Sequence, residues 1–339
     1  MTMNKSFELN IKKCKQGIDG INFEYIIQMG DYFSSEIPPS KQFLNECGKK
    51  IAEITCNTKK IKLYVNPAHY IRANNVQSFG VMDCNVIEQL QQEITIFIKN
   101  FLDEHLPWIN YEKFIENLKL KDLECNITLP CVGKAKQSDV IAFFDLVPTE
   151  TLLRRVNISK TNYKKKNTGC TFRKEHEYNV KIYDKSEEQI SHGNSFIADN
   201  LLRVEIVFVQ RKLTAMYKDK KTIYDILSLQ GFKTAYYEYK KVYMNDIRET
   251  LIQCLNYCRE QLLESLVNSD FKNPIQATIL KHKELIVDIE VLRKSLKKWY
   301  RSRYMEDNSK QVIRMYRNNN MGLPEDVLKT LIAFQIALG

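Results

Sequence analysis

Several short stretches in the first two-thirds of the chain alternate apolar and polar residues or cluster β-formers. A side-chain period of two marks a half-buried strand. Phe7 to Ile11, Ile21 to Met29, Lys50 to Cys56 and Lys60 to Val65 read this way, and Asn57-Thr58-Lys59 predicts a hairpin turn between the last two. Val86 to Leu102 instead carries apolar residues at helical spacing and stops at His105-Leu106-Pro107. Leu123 to Leu129 alternates again and ends at Pro130, and Ser138-Asp139 predicts the start of a helix running to about Arg155, kinked at Pro148. Three further strands are predicted at Thr168 to Phe172, Tyr178 to Tyr183 and Leu202 to Val209. A helix set among hairpin-linked strands predicts an α+β fold, an antiparallel sheet with helices on one face.

From about Lys240 the period becomes helical, over Asn245 to Leu266, Pro274 to Tyr304 and Pro324 to Leu338. Two units are expected: residues 1–217 with the sheet, and a mainly α-helical unit over 244–339, with the boundary between 218 and 244. The chain has 339 residues, enough for two such units, and 44% hydrophobic content can fill their cores. Lys and Arg exceed Asp and Glu by 51 to 41, and the resulting charge of +10 suits a polyanionic partner such as nucleic acid. Nine cysteines include no C-x-x-C pair, which points to free thiols in a reducing compartment, and Cys254 and Cys258 read as small buried side chains on a helix. No apolar run reaches the roughly 18 residues of a membrane span, so a protein of the cytosol is expected.

Strand parity then organises the chemistry. If Val180 and Ile182 face the core, Lys181, Tyr183 and Lys185 project from the other face. By the same rule Val204, Ile206 and Phe208 leave Arg203 and Glu205 outward, and Ile127 and Leu129 leave Glu124, Asn126 and Thr128 outward. Were these strands neighbours, Tyr183, Lys185, Glu188, Glu205 and Asn126 would meet on one surface. That set suits phosphoryl transfer. A phenol with its usual pKa of about 10 needs a cation nearby to act as a nucleophile at neutral pH. The carboxylates of Glu205 and Glu188 and the Asn126 carbonyl would suit a hard Mg²⁺ or Mn²⁺ ion.

Four blocks in this order resemble the gene II and gene X replication initiation proteins of filamentous phages, and more distantly the initiators of rolling-circle plasmids of Gram-positive bacteria. Ile61 to His69, with Asn75-Val76 and Gly80 to Asp83 after it, is similar to the phage block that holds a Ser-Pro-Ala-Lys turn and a Gly-His-Asn stretch. Leu123 to Leu129 falls where the family has Arg-Ile-Asp, Tyr183-x-Lys185-x-x-Glu188 matches its Y-x-K-x-x-E, and Leu202-Arg203-Val204-Glu205 matches its Arg-Phe-Glu strand. The resemblance covers about residues 50–215. It implies that residues 1–217 nick one strand of a replication origin through Tyr183, assisted by Lys185 and a divalent metal. It also implies a 5′-phosphotyrosine intermediate, later rejoining of the strand, contact with double- and single-stranded origin DNA, and work alongside a host helicase and polymerase in the bacterial cytosol. The chain departs from the family in carrying Asn126 for the aspartate, where Glu124 on the same face is the alternative ligand, and in having no His-hydrophobe-His motif.

Between Arg154 and Lys185 ten basic residues stand against three acidic ones. Lys164, Lys165, Lys166, Arg173, Lys181 and Arg203 are the expected contacts to DNA phosphates. Arg293 to Arg303, interleaved with Trp299, Tyr300 and Tyr304, reads equally as an amphipathic helix or as an origin-recognition element. Two other readings fit the same residues: a DNA-binding protein without catalysis, favoured by Asn126, and a relaxase or transposase using the same tyrosine chemistry.

Overall fold

A computed structural model describes residues 15–27, 40–71, 84–133, 135–138, 140–141, 154–160, 167–191, 200–218, 222–247 and 249, with 329, 330 and 333. Its centre is a nine-stranded sheet in the order β2-β3-β4-β1-β5-β9-β8-β7-β6. The strands are β1 (Lys15–Ile26), β2 (Lys41–Leu44), β3 (Lys50–Cys56), β4 (Lys60–Val65), β5 (Lys119–Pro130), β6 (Arg154–Lys160), β7 (Asn167–Lys174), β8 (Tyr178–Asp184) and β9 (Leu201–Val209). Every neighbouring pair is antiparallel. The β3–β4 hairpin closes at the predicted turn, where the Asn57 side chain accepts the backbone N–H groups of Lys59 and Lys60 at 2.9 Å each.

One face of the sheet is apolar because the alternation holds strand after strand. Ile61, Leu63 and Val65 of β4, Leu123, Cys125 and Ile127 of β5, Val180 and Ile182 of β8, and Val204, Ile206 and Phe208 of β9 are all buried in one core. Helices supply the rest of that core. The first three are α1 (Pro67–Ile71), α2 (Cys84–His105) and α3 (Tyr111–Asn117), and α2 adds Ile87, Leu90, Ile94, Ile98 and Phe101, an i, i+3, i+4 stripe. After β8 comes the short α4 (Lys185–Ser191), and after β9 come α5 (Gln210–Tyr217), α6 (Ile223–Ile226) and α7 (Leu229–Val242), followed by a π-helical turn over Tyr243–Ile247.

The stretch in which the sequence predicts a boundary therefore contains helices that pack on the sheet. Phe232, Ala235, Tyr239 and Val242 of α7 are buried in the same core, and the Tyr239 hydroxyl donates to the Val204 carbonyl at 3.2 Å. Burying Phe232 alone contributes about 1.5–3 kcal/mol. Gly231 is required where α7 begins, since a Cβ there would lie 2.3 Å from the Asp225 carbonyl oxygen and 2.4 Å from that of Ile226.

The predicted strands and long helix that fall on described residues agree with the structure, with three differences, one of them β2 (Lys41–Leu44), which the sequence pattern does not predict. β1 begins at Lys15, because Gly17 and Gly20 conceal its pattern, and β6 occupies Arg154 and Arg155, where the sequence predicts the end of a helix. Val156 and Ile158 alternate over too short a span to outweigh the helical pattern before them, and pairing with β7 decides the strand. The expected strand Phe7 to Ile11, the Pro148 kink, Lys164 to Lys166 and the parts of the expected helices between 250 and 328 lie outside the described residues.

Candidate active site

β8, β9 and β5 are adjacent, so the parity argument becomes a register. Tyr183, Arg203 and Thr128 form one cross-strand row, and Lys181, Glu205 and Asn126 form the next. All six lie on the face opposite the apolar core. Tyr183 is half-buried, and its hydroxyl donates to Glu205 Oε2 at 3.0 Å. Lys181 Nζ donates to Glu205 Oε1 at 2.6 Å and reaches Glu124 Oε1 at 4.0 Å, placing its ammonium between the two carboxylates. Gly169 of β7 gives Tyr183 its space, since a Cβ there would sit 3.0 Å from the Tyr183 Cβ and 3.2 Å from the Ile182 carbonyl oxygen. Gly169, Thr171, Lys181, Tyr183 and Glu205 line a cleft of about 250 Å³.

Beneath the cleft lies a buried ionic layer. Arg203 is fully buried, donating from Nε to Thr128 Oγ1 and from Nη1 to Asp19 Oδ2, both at 2.8 Å. Asp19 stands at an irregularity of β1 between Ile18 and Gly20, which turns it onto the polar face. Burial raises the Asp19 carboxyl pKa against the lowering effect of Arg203. Gly20 leaves room for Glu124, because a Cβ there would meet Glu124 Oε2 at 2.7 Å. Burial, and then the charge of Glu205, raise the pKa of Glu124 to about 7.

Two sequence expectations change. Parity predicts an accessible tyrosine favoured as phenolate, whereas burial and the charge of Glu205 push the Tyr183 pKa well above 10. The resting group is a neutral phenol hydrogen-bonded to a carboxylate. Arg203, expected at DNA phosphates, is committed inside the sheet to Asp19 and Thr128, so DNA does not reach it. Lys181 faces the cleft but pairs with Glu205, and Arg173 is exposed.

Lys185 and Glu188 lie on α4, whose first residue follows directly on β8. The Lys185 side chain is buried, with Nζ 2.7 Å from Glu188 Oε2 and 5.9 Å from the Tyr183 ring centroid. Burial, and then Arg203, lower the Lys185 pKa. Glu188, read from the sequence as a metal ligand, is ion-paired with Lys185 and accepts a hydrogen bond from Gln189 Nε2 at 2.7 Å. The spacing of Y-x-K-x-x-E thus serves a strand-to-helix junction: the lysine reaches back to the tyrosine ring, and the glutamate one helical turn on holds the lysine.

Among the described residues no three His, Cys, Asp or Glu side chains meet as a preformed metal cluster. The donors that face one another are nonetheless hard oxygens, those of Glu205, Glu124 and the fully buried Asn126. These donor types suit a hard divalent cation such as Mg²⁺ or Mn²⁺, which would take the place of the Lys181 ammonium between the two carboxylates. Sequence reasoning missed Asp19 and Gly169, and placed Thr128 on this face without a role. Gly20 inside an apolar strand was the one signal for the irregularity that presents Asp19.

No protein-family model matches the chain, and no curated protein matches it. Among solved structures, a rolling circle replication initiator protein from Geobacillus stearothermophilus aligns with 12% sequence identity and a TM-score of 0.30, over 60% of this chain and 77% of that one. No helix among the described residues is long and apolar enough to cross a membrane.

Proposed function

We propose that this chain initiates rolling-circle DNA replication by metal-dependent nicking and rejoining of one DNA strand, with Tyr183 as nucleophile. The observation that carries the reading is the Tyr183 hydroxyl donating to Glu205 in an open cleft, with the Lys185 ammonium held against its ring. The order of the four sequence blocks that resemble the phage and plasmid initiators supports it.

In the nicking step the Tyr183 oxygen attacks the scissile phosphorus and its proton passes to Glu205, already in hydrogen-bond contact. The O–P bond to Tyr183 forms as the bond from phosphorus to the 3′ oxygen breaks, and that oxygen takes up a proton from water. A strand 3′-hydroxyl attacking the phosphotyrosine reverses the sequence and returns the proton to Tyr183, which reseals DNA without ATP. Lys185 and Arg203 supply fixed positive charge near the phenolic oxygen as it loses its proton, an effect Arg203 already exerts on the Tyr183 pKa. Mg²⁺ or Mn²⁺ held by Glu205 and Glu124 with Asn126 would supply Lewis-acid polarisation of the phosphate. The protein's own contribution is to orient the phenol, accept its proton and exclude water from the apolar side of the sheet.

The test uses supercoiled DNA carrying the gene with its native flanks, incubated with Mg²⁺ or Mn²⁺. Wild type is expected to yield an open circle with protein at the 5′ end, and Tyr183→Phe to yield none. An open circle formed equally by Tyr183→Phe removes Tyr183 from the role. Binding without nicking by wild type makes this a DNA-binding protein without catalysis.

A further inference from the structure

The polar face continues past the active site. Two residues further from Tyr183 along β8 than Lys181 stands Asn179, which faces Arg173 of β7 in the register. There the face opens into a second, larger cleft of about 460 Å³, lined among others by Lys121, Arg173, Lys174, His176, Asn179 and Gln210. Four residues of strand separate Asn179 from Tyr183, about 13 Å at roughly 3.3 Å per residue. Both clefts therefore lie on one face of one strand pair, a few nucleotides apart on a single strand of DNA.

The chemistry of the second cleft is that of an anion site. Arg173 is exposed, and its Nε donates to a neutral partner, Asn179 Oδ1, at 3.0 Å. Lys121 is exposed and shares Glu24 with Lys60, so it can turn to another anion without stranding that carboxylate. Lys174 bridges to Asp246 and Glu177 at the rim. The cleft ends at the start of α5, where the Arg211 N–H donates to the His176 carbonyl at 3.1 Å. Two carboxylates also line the cleft, Asp122, which accepts a hydrogen bond from Asn22 Nδ2 at 2.6 Å, and Glu175.

We propose that this cleft is a phosphate subsite that grips the same DNA strand a few nucleotides from the bond cut at Tyr183, with Arg173 and Lys121 as its phosphate contacts. The proposal rests on the reading of Tyr183 as a DNA nucleophile, and it predicts that the strand runs along β7 and β8 rather than across the sheet.

The experiment measures binding of full-length protein to fluorescent dT12 across a salt series. It compares wild type with Lys121→Gln/Arg173→Gln and with Lys99→Gln/Lys113→Gln, which removes the same charge from exposed positions on α2 and α3, helices of the apolar side. The cleft variant is expected to bind about tenfold more weakly, with the slope of log K against log salt smaller by about 1.4, the value for two phosphate contacts on a single strand. The helix variant is expected to stay within about twofold of wild type. Equal loss in both variants, or no loss in either, overturns the subsite. Nicking assays on the same proteins separate the two claims. Cleft-specific binding loss in a wild type that never nicks overturns the catalytic reading and keeps the subsite, and nicking by wild type with unchanged binding of the cleft variant overturns the subsite alone.

Discussion

Replacing Glu124 by glutamine tests the electrostatics of the site directly. In the folded chain burial and the Glu205 charge raise the Glu124 pKa from its ordinary 4.5 to about 7. The folded state then holds a proton that the unfolded state has already released, so stability contributed by this group is complete below about pH 4.5 and is lost as pH rises through about 7. A displacement of that size corresponds to about 3 kcal/mol of folding free energy, and the side chain is only 25% exposed, so solvent screens little of it. Urea unfolding followed by circular dichroism between pH 5 and 8, with chelator present, should show wild type losing about that much more than Glu124→Gln. The variant should therefore be the more stable protein at pH 8. Adding Mg²⁺ or Mn²⁺ at pH 8 should restore stability to wild type and much less to the variant. Parallel stability curves for the two proteins would refute the carboxylate repulsion, and with it the reason for expecting a cation there.

Three further outcomes follow from the packing. Gly169→Ala adds a methyl 3.0 Å from the Tyr183 Cβ, so it should cost about 1–3 kcal/mol in thermal or urea unfolding and reduce nicking at least tenfold; full nicking would show that Tyr183 is not held by that contact. Asp19→Ala leaves the Arg203 guanidinium buried without its carboxylate, and unfolding should show a loss of about 3–5 kcal/mol, whereas a loss under 1 kcal/mol would mean that Arg203 finds another partner. Lys185→Met keeps the buried stem and removes the ammonium beside the tyrosine ring, so single-turnover nicking should fall at least tenfold with little change in DNA binding; a loss in binding alone would reassign Lys185 to the DNA.

The sheet was legible because its alternation is regular where the core is deep, as in Val204, Ile206 and Phe208. Parity also told which face Tyr183, Glu205 and Asn126 share, but not that β5, β9 and β8 are neighbours, since register is a long-range property. It could not tell what covers a polar face. Arg203 and Lys185 read as surface cations and are buried, because Asp19, Thr128 and Glu188 supply partners from three different elements. Asp19 was hidden for a related reason: an irregular strand position breaks the period-two rule on which the reading depends. The helices from Ile223 to Val242 carry ordinary amphipathic patterns, and only their packing against β5 and β1 shows that they complete the sheet's core.

The central claim is that Tyr183 forms a covalent bond to DNA. The most direct measurement incubates wild type with Mg²⁺ or Mn²⁺ and a 3′-end-labelled pool of random-sequence single-stranded oligonucleotides, isolates the labelled protein from a denaturing gel, and locates the nucleotide-bearing peptide by mass spectrometry. The account predicts labelled protein whose adduct maps to Tyr183 in the peptide Ile182-Tyr183-Asp184-Lys185. Label on another tyrosine, or label retained in full by Tyr183→Phe, would contradict it.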